Sequence, residues 1–373
     1  MSEKDGQGKP FLPIYYKSRI YIDLSEPDKY SDNFERLLRW VFDKPLYQKP
    51  ALGEKPAFLS DGEHISLGTT PAFKRCIDAI KNSKPFASGA LEEYCELFVQ
   101  NFERFRISKV DGREFDDELI RNIEDFLPYR NEAIQLFITV AQYAPNQEFI
   151  GRIHRFFESL IPYMQRPSDI QQSNEWDFDN FKFLVHELFL YAVAALLKQD
   201  RLEEAADFLS RQYYLPGNSD YGRDSMVGYL VFREYLKSLE HRNERLNLRK
   251  LSLHSNLLKE RSAGISIEFR HLMQADFIAF LRAEIEINDE WNRWWPETLL
   301  HVGHFHSAFE VFARSSSKAY FDRAKRLIAI QSPSDLAPLF EQYQTGRRKL
   351  PTWEMNRFRP AALVGFEHLA TRA

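Results

Sequence analysis

The sequence is poor in glycine, with 15 among 373 residues. Glycine supplies the tight turns and close backbone approaches that cradle phosphates. In keeping with its scarcity, the chain has no Walker A segment, no Gly-x-Gly-x-x-Gly, no Gly-x-Ser-x-Gly elbow and no His-Glu-x-x-His. Cysteine is scarcer still. Cys76 and Cys95 fit no zinc or redox spacing and cannot define a disulfide framework, so a reducing cytoplasm is the expected setting. Basic charge is not in excess: 50 Lys and Arg stand against 54 Asp and Glu, for a net charge of −4, which argues against a general nucleic-acid binder. The start, Met1-Ser2-Glu3-Lys4-Asp5-Gly6, lacks the apolar stretch of a signal peptide. The most apolar run, Leu184 to Leu197, contains His186 and Glu187 and is shorter than a membrane span. It reads as a buried core helix, and no membrane partner is expected.

Phenylalanine is abundant, at 31 residues. Such side chains require buried faces, and their spacing shows which. Residues 1–13 read as a loose tail, and 14–43 as a strand followed by a helix. Arg19-Ile20-Tyr21-Ile22-Asp23-Leu24 has strand composition, Ser25 and Asp28 resemble a capping box, and Phe34, Leu37, Leu38 and Val41 recur at helical spacing. Pro45, Pro50, Gly53, Pro56, Gly62 and Gly68 make 44–68 a linker. Residues 69–373 read as an all-α, multi-helix domain with helical hairpins. Thr70-Pro71 opens its first helix. Stripes follow at Leu91, Cys95, Phe98, Phe102 and Phe105; at Phe115, Leu119, Ile123 and Phe126; and at Phe149, Ile153, Phe156 and Leu160. Residues 194–209 resemble one tetratricopeptide-type hairpin without a second copy, so an ordinary helical hairpin is expected. Further helices are expected near 226–239, 243–261, 266–287, 296–313, 317–329, 333–344 and 360–370. The segment at 19–24 is the single expected strand, and its unpaired edge makes a homo-oligomer plausible.

Candidate chemistry is sparse. If 296–313 is one α-helix, Glu297, His301 and His304 share a face and could hold zinc. The competing reading is that they flank the buried stripe of Val302, Phe305, Phe309 and Phe312. Trp291, Trp294 and Trp295 could form a platform for a ligand or peptide, or staple the next helix. Arg347-Arg348-Lys349, and Arg242, Arg245 and Arg249, could hold phosphates or form solvated faces. Glu284, Glu286, Asp289 and Glu290 read as a solvated helix end. Cys76, Cys95 and His154 read as core residues.

Tyr15 to Ser25, then Phe34-Glu35-Arg36-Leu37-Leu38-Arg39-Trp40, then Lys44-Pro45 and Lys49-Pro50-Ala51-Leu52-Gly53-Glu54-Lys55-Pro56, resemble the exit from a bacterial TIR or SEFIR domain. These segments would be the last strand, the last helix and the linker to a C-terminal region. In that family the TIR domain hydrolyses NAD⁺ or signals by assembly, many bacterial members act in anti-phage defence, and the attached region senses a trigger or mediates assembly. The earlier strands and the catalytic-glutamate helix would fall before Pro13. No catalytic residue carries over, so neither NADase activity nor a cofactor is expected. The resemblance implies a non-catalytic sensor, regulatory or assembly module in the cytoplasm. Its partners would be a protein or small-molecule trigger and a TIR domain in cis or in trans. The alternatives are a metal-dependent or acid–base enzyme at Glu297, His301 and His304, and a tetratricopeptide-like protein-binding scaffold.

Overall fold

The structure, a computed structural model, describes residues 22, 24, 27–42, 67–107, 114–166, 174, 176–215, 225–287, 293–303, 307–353 and 358–373. The chain divides into two compact units, Met1–Gly62 and Glu63–Ala373. Among the described residues there are fifteen α-helices and one two-stranded sheet, so the all-α expectation holds.

In the first unit the expected helix is present as α1, Pro27–Val41. Tyr30, Phe34, Leu38 and Val41 recur along it at spacings of four, four and three, and all four are exposed. Tyr30 and Phe34 stack with ring centroids 5.7 Å apart. Of the strand expected at 19–24, only Ile22 and Leu24 are described, and neither is in a strand. The tail and most of the linker lie outside the described residues.

The second unit begins by anchoring its first helix, α2 (Thr70–Lys81). The helix starts at the expected place, but neither threonine caps it through its side chain. Both hydroxyls, of Thr69 and of Thr70, donate instead to the Glu132 carboxylate at 2.6 Å. Glu132 belongs to α5 (Leu127–Tyr143), which packs on α2. Between them come α3 (Ala87–Phe102) and α4 (Phe115–Asp125), followed after α5 by α6 (Gln147–Leu160), whose N-cap Asn146 accepts from the Phe149 N–H at 3.1 Å. The stripes meet as rings. Phe98 lies 5.1 Å from Phe156, 5.9 Å from Phe126 and 6.1 Å from Phe102, edge-on to the first two. Cys76 and Cys95 are buried free thiols, and burial pushes Cys76 up to about 12. His154 is a half-buried histidine bonded to the Gln212 carbonyl at 2.9 Å and stacked on Tyr213.

The central element is α7, Asp179–Lys198, buried along almost its whole length. It has the length and composition of a membrane span, yet its side chains are packed inside this unit. It packs against α4, α5, α11 (Phe269–Glu286) and α8 (Leu202–Ser210), forming with α8 the expected helical hairpin. Asp200, at φ 56°, turns that hairpin.

Beyond α8 the chain is more broken than its periodicity implies. Tyr213–Tyr214 (β1) and Met226–Val227 (β2) pair antiparallel, the second strand standing where the start of a helix was expected. The helices expected at 226–239 and 243–261 are instead a 3-10 helix, Tyr229–Phe232, then α9 (Lys237–Arg245) and α10 (Leu253–Arg261), the last two divided by Asn247 and Arg249 at positive φ. The one expected at 296–313 is a 3-10 helix, Glu297–Val302, and a separate α12, Glu310–Arg314. Gly303, at φ 56°, ends the first piece in a conformation that favours glycine. The remaining helices, α13 (Lys318–Ala324), α14 (Ala337–Gln344) and α15 (Pro360–Val364), are each one to two turns extended by 3-10 turns.

Glu187 of α7 is a fully buried carboxylate in this core. Arg261 of α10 engages it at 2.9 and 2.7 Å, and Arg130 of α5 at 3.1 Å. Arg130 also donates to the Arg261 carbonyl at 2.7 Å, and Arg261 to the Ile123 carbonyl at 2.8 Å. Burial alone would raise the Glu187 pKa; the two guanidinium groups outweigh it and hold the carboxyl below its usual range. Replacing Glu187 by Gln leaves two buried cations facing a neutral amide. The variant is expected to lose about 3 kcal/mol of stability, read as a lowered urea midpoint against wild type.

Candidate functional site

Two buried carboxylates organise the region around the 297–302 helix. Asp276 sits mid-way along α11 with no solvent exposure. It accepts from Trp294 Nε1 at 2.6 Å, from the Thr298 N–H at 2.8 Å and from the Thr298 hydroxyl at 2.7 Å. Glu297 accepts from the Arg233 guanidinium and, at 2.7 Å, from the hydroxyl of Ser252, the α10 N-cap residue. His254 Nδ1 lies 4.0 Å from the Glu297 carboxylate, and His254 Nε2 is 3.0 Å from His186 Nδ1. Burial, with the Arg233 charge adding to it, pushes both imidazoles well below their ordinary range, so they are neutral and one donates to the other. His186 Nε2 is buried without a hydrogen-bond partner, and its ring meets Trp294 edge-on at 5.5 Å. These groups form a polar array of pairs, Arg233–Glu297 and His254–His186, with 4.0 Å between the Glu297 carboxylate and His254.

The candidates named from sequence fall differently from expectation. Trp294 is fully buried with its N–H committed to Asp276, so it is no ligand platform. Trp295 is half-buried and meets Trp353 edge-on at 5.7 Å, and Trp291 lies outside the described residues. In the 3-10 helix, residues four apart are turned by about 120° instead of the roughly 40° of an α-helix. Glu297 and His301 therefore do not share the face that an α-helix would have given them. Glu297 already holds Arg233 and Ser252; His301 is half-buried beside Phe269, with ring centroids 5.6 Å apart; His304 lies outside the described residues.

The basic loop is also divided. Arg347 and Lys349 are exposed, but Arg348 is buried and pairs with Glu284 at 2.8 Å. Glu284 is itself buried, not part of a solvated helix end, and also pairs with Arg293 at 2.9 Å and accepts from the Tyr343 hydroxyl. Arg242 and Arg245 turn onto Asp116 and Asp117 of α4, leaving Arg249 exposed. The buried anions do leave a mark in the sequence, as charged residues inside apolar stretches. His186-Glu187 interrupts the apolar run of α7, and Asp276 stands inside the stripe of Phe269, Met273, Phe277 and Phe280.

Within the array His186, His254 and Glu297 are buried, while Arg233 also lines a cavity of about 830 Å³. A cavity of about 1060 Å³ opens between α14 and the α15 region, walled by Phe340, Tyr343, Leu350, Phe358 and Phe366 with Glu341 and Arg359 among its polar lining. It is mostly apolar with a few convergent polar groups, the usual constitution of a ligand pocket. Tyr343 joins it to the Glu284 ion pairs.

Asp276 gives the site a pH signature. Burial pushes its carboxyl up to about 6, against hydrogen bonds from Thr298 and Trp294 that pull it down. Its folded pKa therefore exceeds the unfolded one, so its contribution to stability is full below pH ~4 and is lost as pH rises through about 6. Compared with Asp276→Asn, which does not titrate, wild type is expected to gain about 1.4 kcal/mol between pH 7.5 and pH 5. Urea melts of both proteins at the two pH values check this, because every other titrating group cancels. Against protein-family models, curated proteins and solved structures, the chain finds no match.

Proposed function

We propose that this chain is a non-catalytic sensor and assembly module of a TIR-type defence protein, in which the helical unit receives a trigger and α1 meets a partner. The observation that carries the reading is the exposed apolar stripe of α1, Tyr30, Phe34, Leu38 and Val41. In an α/β layer a helix buries such a stripe on a sheet. The resemblance of residues 15–56 to the end of a TIR or SEFIR domain names the sheet that would take it, in cis or in trans. About three helical turns of exposed aromatic and aliphatic side chains are otherwise a docking or aggregation surface.

The cavity between α14 and α15 supports the sensing half of the proposal. Its aromatic walls suit an apolar peptide segment or a small molecule of similar character, oriented by Glu341 and Arg359. An occupant that moves Tyr343 acts on the Glu284 ion pairs with Arg293 and Arg348, and so on α11. At the other end of the unit, Thr69 and Thr70 are fixed to Glu132, so movement of α5 reaches the segment leading from the linker. The acid–base alternative is less well supported, because Glu297 serves Arg233 and Ser252 inside the fold.

The test uses the TIR or SEFIR domain encoded in frame or adjacent at the native locus. The full chain is expected to bind it. Phe34→Glu combined with Leu38→Glu is expected to weaken binding at least tenfold while leaving the melting temperature of the helical unit unchanged. A locus without such a domain, or a double variant that binds as wild type does, overturns the proposal.

A further inference from the structure

Three side chains with open donor atoms converge where the start of α4 packs against α9. Glu114 precedes the first turn of α4, Asp116 lies within that turn, and His241 lies on α9. One potential ligand atom from each lies within 4.8 Å of the other two. Neither the Glu114 carboxylate nor the His241 ring nitrogens form a hydrogen bond among the described residues; His241 has only a ring contact with Trp176, at 5.5 Å.

Asp116 distinguishes this group from an ordinary acidic surface patch. Its side chain is 2% exposed. Oδ2 accepts from Arg242 at 3.2 Å and from Arg245 at 3.1 and 2.7 Å. Oδ1 is buried with no hydrogen-bond partner among the described residues. A buried carboxylate oxygen without a donor is rare and calls for an explanation. The arginines account for one oxygen and hold the carboxylate in place, so the other is left without a donor.

We propose that Glu114, Asp116 and His241 form a binding site for a divalent transition-metal ion, with zinc the best-matched probe. Two carboxylates and an imidazole are an oxygen–nitrogen set that zinc and cobalt accept, and the imidazole disfavours magnesium and calcium. Three protein ligands leave a fourth position open to water or to a ligand group. Ligand atoms on a tetrahedral zinc stand about 3.4 Å apart. Closing from the observed spacing requires movement of the two exposed side chains, Glu114 and His241, around the fixed Asp116. The charges are compatible with a cation. Glu114, Asp116 and Asp117 bring three negative charges against two from Arg242 and Arg245. A bound ion would join α4 to α9 through a second link, one that shares Asp116 with those ion pairs. No part of this site overlaps the surfaces proposed for assembly or for the trigger, so it stands or falls separately from them.

The experiment is zinc titration of the full chain, free of any histidine tag, by calorimetry. It is paired with cobalt titration followed by visible absorption and tryptophan fluorescence. One zinc per chain is expected, with affinity falling at least tenfold in His241→Ala and in Glu114→Gln. Both changes are at exposed positions and are expected to leave the circular dichroism unchanged. Bound cobalt is expected to quench Trp176, so Trp176→Phe loses that part of the quenching but keeps the absorption band. Absence of saturable one-to-one binding overturns the site. So does zinc binding that survives both variants, because the ion is then held elsewhere.

Discussion

Glu187 is the constraint on which the helical unit turns. It lies on the most buried helix of the fold, and a lone carboxylate there would be untenable. Arg130 and Arg261 make it tenable, and in doing so they fix α5 and α10 against α7. Hydrophobic burial drives the helices together without regard to direction. The arginine fork has direction, since its donors match two carboxylate oxygens and neighbouring carbonyls in one geometry. The same device recurs at Glu284 with Arg293 and Arg348, at Asp116 with Arg242 and Arg245, and, with one arginine, at Glu297. Part of the balance between basic and acidic residues is therefore internal, in pairs such as Glu187 with Arg130 and Arg261 that water barely reaches.

This explains which features the sequence disclosed. The long helices were legible, because α3, α6, α7 and α11 each repeat an apolar face over several turns and the 3.6-residue period accumulates. The short ones were not. At 296–313 the spacing of Val302, Phe305, Phe309 and Phe312 imitates one helix, yet Gly303 breaks it at positive φ. At 243–261 Asn247 and Arg249 do the same, and nothing in the apolar pattern marks a left-handed residue that is not glycine.

The site residues failed for a related reason. Spacing along a chain assumes a helix type, and Glu297 and His301 lie on a 3-10 turn where the assumption fails. Local sequence also cannot show that Arg348 is inward and its neighbours outward, or that Arg242 and Arg245 have partners more than a hundred residues earlier. The polar array from Arg233 to His186 joins α7, α10 and the 297–302 turn, and its members become neighbours only once the core is assembled. What sequence could offer was the anomaly itself, a charged residue inside an apolar stripe.

The apolar character of α7 has a consequence in time as well as in space. Its cover comes from both sides of the sequence: α4 and α5 precede it, but α8 and α11 follow. About 90 residues separate the end of α7 at Lys198 from the end of α11 at Glu286, which takes roughly 4–18 s to synthesise at about 5–20 residues per second. Until α11 is made, a twenty-residue helix with the composition of a membrane span lacks part of its cover. A nascent chain in that state is a substrate for chaperones or for mistaken delivery to a bilayer, and Glu187 near its middle makes the second outcome costly.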